Sequence, residues 1–168
     1  SDECNMELSV INPSLVLGPV LESDFGTSVE LVKRFLNGGF PLAPNISFGI
    51  VDVRDVAQLH LLALESPQAS GNRFIASSET LAIPLISEFL RKKIPEYQKR
   101  LPKGTAPDFL IKLLGFFSPL MKTVANQLGK TKELDNSKAK NILGWQPRSG
   151  EEAVIASAKS LIEFDIVK

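Results

Sequence analysis

At 168 residues, with 43% hydrophobic and 23% charged side chains, the chain has the make-up of one globular domain, or a domain with a subdomain, and can bury a real core. Its 19 basic and 19 acidic residues cancel, which removes the overall field that gathers nucleic acid or an anionic membrane and disfavours both as partners. The lone cysteine, Cys4, excludes an internal disulfide and a cysteine-based metal cluster, and suits a reducing, cytoplasmic compartment.

Ser1 stands where an initiator Met would, with no basic-then-apolar leader behind it, and reads as a processing or domain boundary. Leu8 to Asn12 is strand-like and leads through a loop, Gly18 to Gly26, into a helix whose opening Thr27-Ser-Val-Glu30 has capping-box spacing. That helix buries Val29, Val32 and Leu36 and stops at Gly38-Gly39. Ser47 to Val53 is a second extended run, after which Asp55 is placed to cap the apolar helix Val56 to Glu65. Ser66-Pro67 turns the chain, and Asn72 to Ala76 reads as a third strand. After Pro84 a helix sets Leu85, Ile86, Phe89 and Leu90 on one side, and the segment to Leu101 is basic and loop-like.

The longest apolar stretch, Phe109 to Val124, is interrupted by Lys112, Gly115, Ser118, Pro119 and Lys122, whereas a spanning helix needs about 20 largely apolar residues. Phe109, Leu110, Leu113, Leu114 and Phe117 recur at helical spacing, and Pro119 opens a second helix carrying Met121, Val124 and Leu128. Two short packed helices are therefore predicted rather than a membrane-surface hairpin. Thr131 to Leu134 reads as a short strand, Asn136 as the cap of a helix Ser137 to Leu143, and Gly144 as its end before Trp145. A second capping box, Ser149-Gly-Glu-Glu152, opens a last helix with Val154, Ile155, Ala158, Leu161 and Ile162 facing inward.

Three landmarks stand in order along nearly the whole chain, from about Met6 to about Phe164: Ile11-Asn-Pro-Ser-Leu-Val-Leu-Gly-Pro19; Val51-Asp-Val-Arg-Asp-Val-Ala57 with His60; and Asp135-Asn-Ser-Lys-Ala-Lys140 with Leu143-Gly-Trp145. Together they resemble the C-terminal half of extended short-chain dehydrogenases/reductases, closest to the dihydroflavonol reductase-like, NAD-dependent epimerase/dehydratase group. The resemblance implies an α/β fold: the C-terminal part of a Rossmann-like parallel sheet (about residues 6–76), a small, mainly helical substrate-binding subdomain (about 77–134) and C-terminal helices (about 135–168). It also implies NADP or NAD as the cofactor of a full-length parent that reduces a small carbonyl substrate.

Two parts of that family's machinery do not occur here. A Gly-rich turn lets the backbone approach the cofactor's phosphates, and a Tyr-x-x-x-Lys helix supplies a tyrosine acidic enough to move a proton. The single tyrosine, Tyr97, has Leu101 four residues on, so no catalytic residue is assigned. The chain alone is expected to be inactive and to bind neither cofactor tightly.

By the same resemblance Pro13, Ser14, Leu15 and Val16 form the loop after a sheet strand that lines the nicotinamide, and Ser28 reaches the same end of the cofactor. Strand-end and capping preferences alone give Pro13 a terminating role and Ser28 a helix-starting one. Leu17, Phe25 and Phe48 are placed near the substrate; burial tendencies alone make such aromatics core. Asp55 and Arg54 read as an N-cap and its charge partner, and His60 as a satisfied structural histidine. The basic run Arg91-Lys92-Lys93, Lys99-Arg100 and Lys103 reads as a solvated face and loop. No metal site is indicated.

A reading of another class keeps the substrate domain as a non-enzymatic small-molecule or protein-binding module. Either way, the strands Leu8 to Asn12 and Ser47 to Val53 are expected to leave an open edge and apolar surface, through which the chain self-associates or pairs with an N-terminal half.

Overall fold

A computed structural model describes residues 7–114, 116 and 119–167. Cys4, Met6, Gly115, Phe117 and Ser118 lie outside the described residues.

The first strand, β1 (Val10–Pro13), pairs in parallel with β4 (Arg73–Ala76), Val10 opposite Arg73 and Pro13 opposite Ala76. Pro13 brings no amide to a ladder and falls at the strand's last position. One residue later the chain enters a second sheet. There β2 (Leu15–Leu17) pairs in parallel with β3 (Ser47–Asp52), and β3 pairs antiparallel with β5 (Glu79–Ala82). The stretch read as a loop after the first strand is thus itself part strand. The expected open edge at Ser47 to Val53 is also corrected: β3 is central, with β2 and β5 on its two sides, while β1, β2, β4 and β5 each have one side without a strand neighbour among the described residues.

Seven α-helices of the described residues complete the fold: α1 (Thr27–Leu36), α2 (Val53–Glu65), α3 (Ile83–Lys93), α4 (Asp108–Leu114), α5 (Pro119–Ala125), α6 (Ser137–Leu143) and α7 (Gly150–Glu163). They gather two cores. One joins the second sheet to α1, α3 and α7 through Leu17, Val32, Phe35, Ile50, Ile86 and Leu161. The other joins the first sheet to α2 and α6 through Val51, Leu59, Phe74, Ala139 and Trp145. The partition cuts across chain order, because β3 offers Ile50 to one core and Val51 to the other, as alternation along a strand requires.

Local signals and outcomes differ where a tertiary partner competes. Thr27 is already helical in α1; the cap position is Gly26, with no side-chain bond, so the Thr-x-x-Glu spacing makes no capping box there. In α2 the cap is Asp52, not Asp55: its Oδ1 accepts the Arg54 amide at 2.9 Å. Asn136 occupies the cap position of α6 but sends its amide to Ser77 O at 2.6 Å. The carboxylate of Asp135 accepts the Ser137 amide at 2.9 Å and its hydroxyl instead. Those two bonds, the hydroxyl's first, hold the Asp135 carboxyl below its usual range. Whatever stability this contributes is complete above the ordinary carboxylate pKa and is lost as pH falls through the lowered one. Thr131 to Leu134 forms no strand; Lys132 O takes the Thr80 hydroxyl at 3.1 Å.

The signals without such competition hold. Pro84 lies in the first turn of α3, Gly144 ends α6 at φ 63°, and α4 and α5 are two short helices packed on each other. At α7 both arms of the capping box form: Ser149 Oγ accepts the Glu152 amide at 3.2 Å and the Glu152 carboxylate accepts the Ser149 amide at 3.3 Å. Ser149→Ala is expected to lower stability by about 1 kcal/mol, read as a lower denaturant midpoint at unchanged slope. Ser149→Asp should keep the midpoint near the parent value.

Candidate cofactor and substrate cleft

Leu17 ends β2 opposite Asp52, the last residue of β3, so two parallel strands deliver their carboxyl ends to one place, where ligands of such sheets bind. Gly18 follows with φ 118°, and a Cβ there would stand 2.9 Å from Asp52 Oδ1 and 3.0 Å from Val53 Cγ1. Two hydroxyls of α7 hold the loop beyond. Ser157 Oγ accepts the Gly18 amide at 2.7 Å and lies 2.8 Å from Gly18 O, while Ser160 Oγ accepts the Val20 amide at 2.9 Å. Both serines are buried. Sequence reasoning passed over them; the signal was two serines on the inward side of an otherwise Ala-, Val- and Leu-rich face.

The loop, the start of α1 and the start of α2 enclose a cleft of about 320 Å³. Of the expected site residues, Val16, Leu17, Phe25 and Ser28 line it together, and Val53 closes one side. Gly26 and Ser28 bring the amino end of α1 to the wall with no side chain capping it, which leaves that end of the helix dipole available to a partly negative group. Lys33 Nζ sits 5.2 Å from the centre of the Phe25 ring.

Pro13, Ser14, Leu15 and Phe48 are not among the residues lining this cleft. Ser14 Oγ donates to Ala76 O at 3.3 Å; Leu15 is paired with Ile50 and Phe48 with Leu81, both partly buried against the core. Ser14 instead belongs to a tighter junction at the carboxyl ends of β1 and β4. There Leu134 Cδ1, Ser77 Oγ and Ser14 Cβ would stand 2.6, 2.9 and 3.1 Å from a Cβ on Gly49, so that position accepts no side chain without a shift.

The charged pairs beside the cleft are structural. Arg54 grips the fully buried Asp52 with Nε and Nη2 at 2.8 and 2.7 Å, and these bonds raise the Arg54 pKa. Its expected partner was Asp55, but Asp55 is buried inside the first turn of α2 and pairs with Arg148, whose amide and guanidinium both reach its carboxylate. Trp145 Nε1 donates to Asp55 O at 2.9 Å. His60 is exposed and its Nδ1 is 2.8 Å from Val56 O, a bond within its own helix. Tyr97 ends the short helical turn Pro95–Tyr97 after α3, with the Arg100 guanidinium 5.3 Å from its ring centre. In the basic segment Arg91 donates to Pro102 O at 2.5 Å, and Lys93 faces Glu151 at 3.9 Å. A wider hollow of about 660 Å³, bordered by Glu79, Lys140 and Arg148, contains none of the expected site residues. Two of its polar groups are already engaged, Glu79 by the Gly150 amide and Arg148 by Asp55.

Chemically the cleft is a mainly apolar slot with one hydroxyl, one helix terminus and two carboxylates, Glu22 and Asp24, in its lining. It suits a flat, weakly polar ring. Among the described residues no group of His, Cys, Asp and Glu side chains could hold a metal ion, and no helix is long and apolar enough to cross a membrane.

No protein-family model matches the chain. It is 28% identical over 98% of its length to an NADPH-dependent methylglyoxal reductase of Saccharomyces cerevisiae, of which it covers 45%. It is 33% identical over 97% of its length to a ketoreductase of Aspergillus niger, covering 46% of that protein. The crystal structure of the yeast methylglyoxal/isovaleraldehyde reductase complexed with NADPH superposes on 95% of the chain with a TM-score of 0.71 at 26% identity, over 44% of the reductase. The chain spans about half the length of the curated relatives it matches.

Proposed function

The chain belongs to the extended short-chain dehydrogenase/reductase family, and from that premise we propose that it is the substrate-side, nicotinamide-facing portion of an NAD(P)-dependent reductase of small carbonyl compounds. The observation that carries the reading is the cleft at the carboxyl ends of β2 and β3, where Val16, Leu17, Phe25 and Ser28 meet. In this assignment Val16 and Ser28 face the nicotinamide end, and Leu17 and Phe25 the substrate. Pro13, Ser14 and Leu15 act one step back, by fixing where β1 hands the chain to β2. Phe48 supports the slot from β3. The cofactor supplies the hydride; this chain's residues bind, orient and exclude water, and the phosphate-binding turn and proton donor come from the rest of the parent, which is placed in the cytoplasm.

The free edge of β1 and the outer stripe of α2 are where that remaining half would pack. Val53, Leu61 and Leu64 are 40%, 60% and 83% exposed there. In its absence the same surface would bind a second copy of the chain, seen as concentration-dependent mass in sedimentation.

Calorimetric titration of NADPH and NADH into the 168-residue chain, beside the intact mass of the native protein, tests the proposal. The expected outcome is no tight binding by the chain and a native mass about twice its 18.4 kDa. A native mass near 18.4 kDa, or tight binding of either nucleotide, would make the chain an independent binding module and overturn the reading.

A further inference from the structure

Helix α4 is apolar on two sides, and the fold covers one of them. Ile111 is buried and Leu110 half-buried, while Phe109, Leu113 and Phe116 are 72%, 53% and 83% exposed. Phe109 and Leu113 are a turn apart on the helix, and Phe116 follows the helix end. Single exposed apolar side chains need no explanation, but three so close in the chain point to a surface that binds something.

Charge distinguishes what it binds. Between Phe109 and Lys132 the sequence has four lysines, Lys112, Lys122, Lys130 and Lys132, and no Asp or Glu, with Asp108 and Glu133 standing just outside that stretch. All four lysines are exposed. A chain of zero net charge therefore has a locally cationic segment that contains the exposed aromatic side chains. The inner side of the same segment is anchored, because Val124 and Leu128 pack against the core and the Gly129 amide donates to Asn45 O at 3.1 Å. The apolar stripe of α2 differs: Arg54 and Glu65, of opposite sign, flank it, and α2 packs on the first sheet, whose β1 edge is free. That surface suits protein; the α4 surface suits an anionic bilayer, with rings among the acyl chains and ammonium groups at the phosphates.

We propose that the outer face of α4, continuing to Phe116, is a docking surface for anionic phospholipid membranes. This reverses the expectation drawn from net charge, which averages away an asymmetry visible only once the exposed side chains are located. It does not depend on the reductase reading, since it rests on different residues.

Flotation of the 168-residue chain with phosphatidylcholine vesicles, with and without a third of phosphatidylserine, is the direct test. The chain should float with the serine-containing vesicles and be released by added salt. Phe109→Ser with Phe116→Ser, and separately Lys112→Glu with Lys122→Glu, should each weaken binding at least about tenfold while leaving the thermal midpoint unchanged, because all four side chains are exposed. Failure to float, equal flotation with both vesicle types, or undiminished flotation of the aromatic variant would overturn the proposal. So would loss of flotation when the rest of the parent is present, which would give the surface to the other half. Conversion of a dimer to a monomer by the aromatic variant, without effect on flotation, would give it to a second copy.

Discussion

Gly18→Ala is expected to lower the unfolding free energy by roughly 2–6 kcal/mol and to deform the cleft in the same stroke. Two costs combine. At φ 118° an alanine is held in backbone territory that L residues avoid, worth roughly 1–3 kcal/mol. Its methyl would also meet Asp52 Oδ1 at 2.9 Å, and forcing an extra carbon into a packed site costs roughly 1–3 kcal/mol. Asp52 cannot move freely. It is fully buried, caps α2 and holds both nitrogens of the Arg54 fork. A displaced Asp52 therefore moves the start of α2, and with it Val53 at the cleft wall. For a chain of this length the loss corresponds to a fall in Tm of roughly 2–4 °C per kcal/mol. Ser157→Ala is the companion experiment: it removes the hydroxyl that accepts the Gly18 amide at 2.7 Å and strands a buried donor, at about 1–3 kcal/mol. Equal Tm values for Gly18→Ala and the parent would mean that the loop relaxes away from α2 and that the described close approach is not maintained in solution.

Arg148→Met is expected to cost about 3 kcal/mol, the low end of what removing one partner of a buried ion pair costs. Asp55 is 1% exposed, whereas the Arg148 side chain is 41% exposed, so the carboxylate bears most of the desolvation and the guanidinium keeps part of its water. After the substitution Asp55 retains the Arg148 amide at 2.7 Å and loses its counter-charge. Arg148→Lys should recover part of the loss, since an ammonium restores charge but not the planar fork. A double-mutant cycle of Asp55→Asn with Arg148→Met isolates the coupling from losses at each site alone. A coupling near zero would show that the amide bond, not the ion pair, holds this corner. Because Trp145 donates to the backbone of the same aspartate, near-UV circular dichroism of the one tryptophan reports directly on whether α2 and the segment before α7 remain docked.

These two sites show where sequence reasoning stops. Asp55 was read as a cap because aspartate before an apolar helix satisfies free amides, and that preference is real; Asp52 performs the task three residues earlier. What Asp55 does is fixed by Arg148, 93 positions away, and no local pattern encodes so distant a partner. Four of the eight expected ligand-side residues converge on one cleft; Pro13, Ser14 and Leu15 went elsewhere because β2 was not recognised, and Phe48 because β5, which pairs it with Leu81, was not. A three-residue strand one position after a proline-ended strand offers too few residues for an alternation to be seen.

The sequence by itself determined the family, through three motifs in order, and those local features whose partners lie within a few residues: the Ser149 capping box, the left-handed Gly144, the paired short helices α4 and α5. Short-range hydrogen bonds and backbone sterics settle such features wherever the chain goes. Only the tertiary structure decided that β1 and β2 enter different sheets, that β3 is central rather than an edge, and that Ser157 and Ser160 hold a loop 139 and 140 positions away. A strand's pattern states which side is apolar, not which neighbour satisfies its edges, and a buried hydroxyl becomes a clamp only when a backbone amide from a distant segment is brought against it.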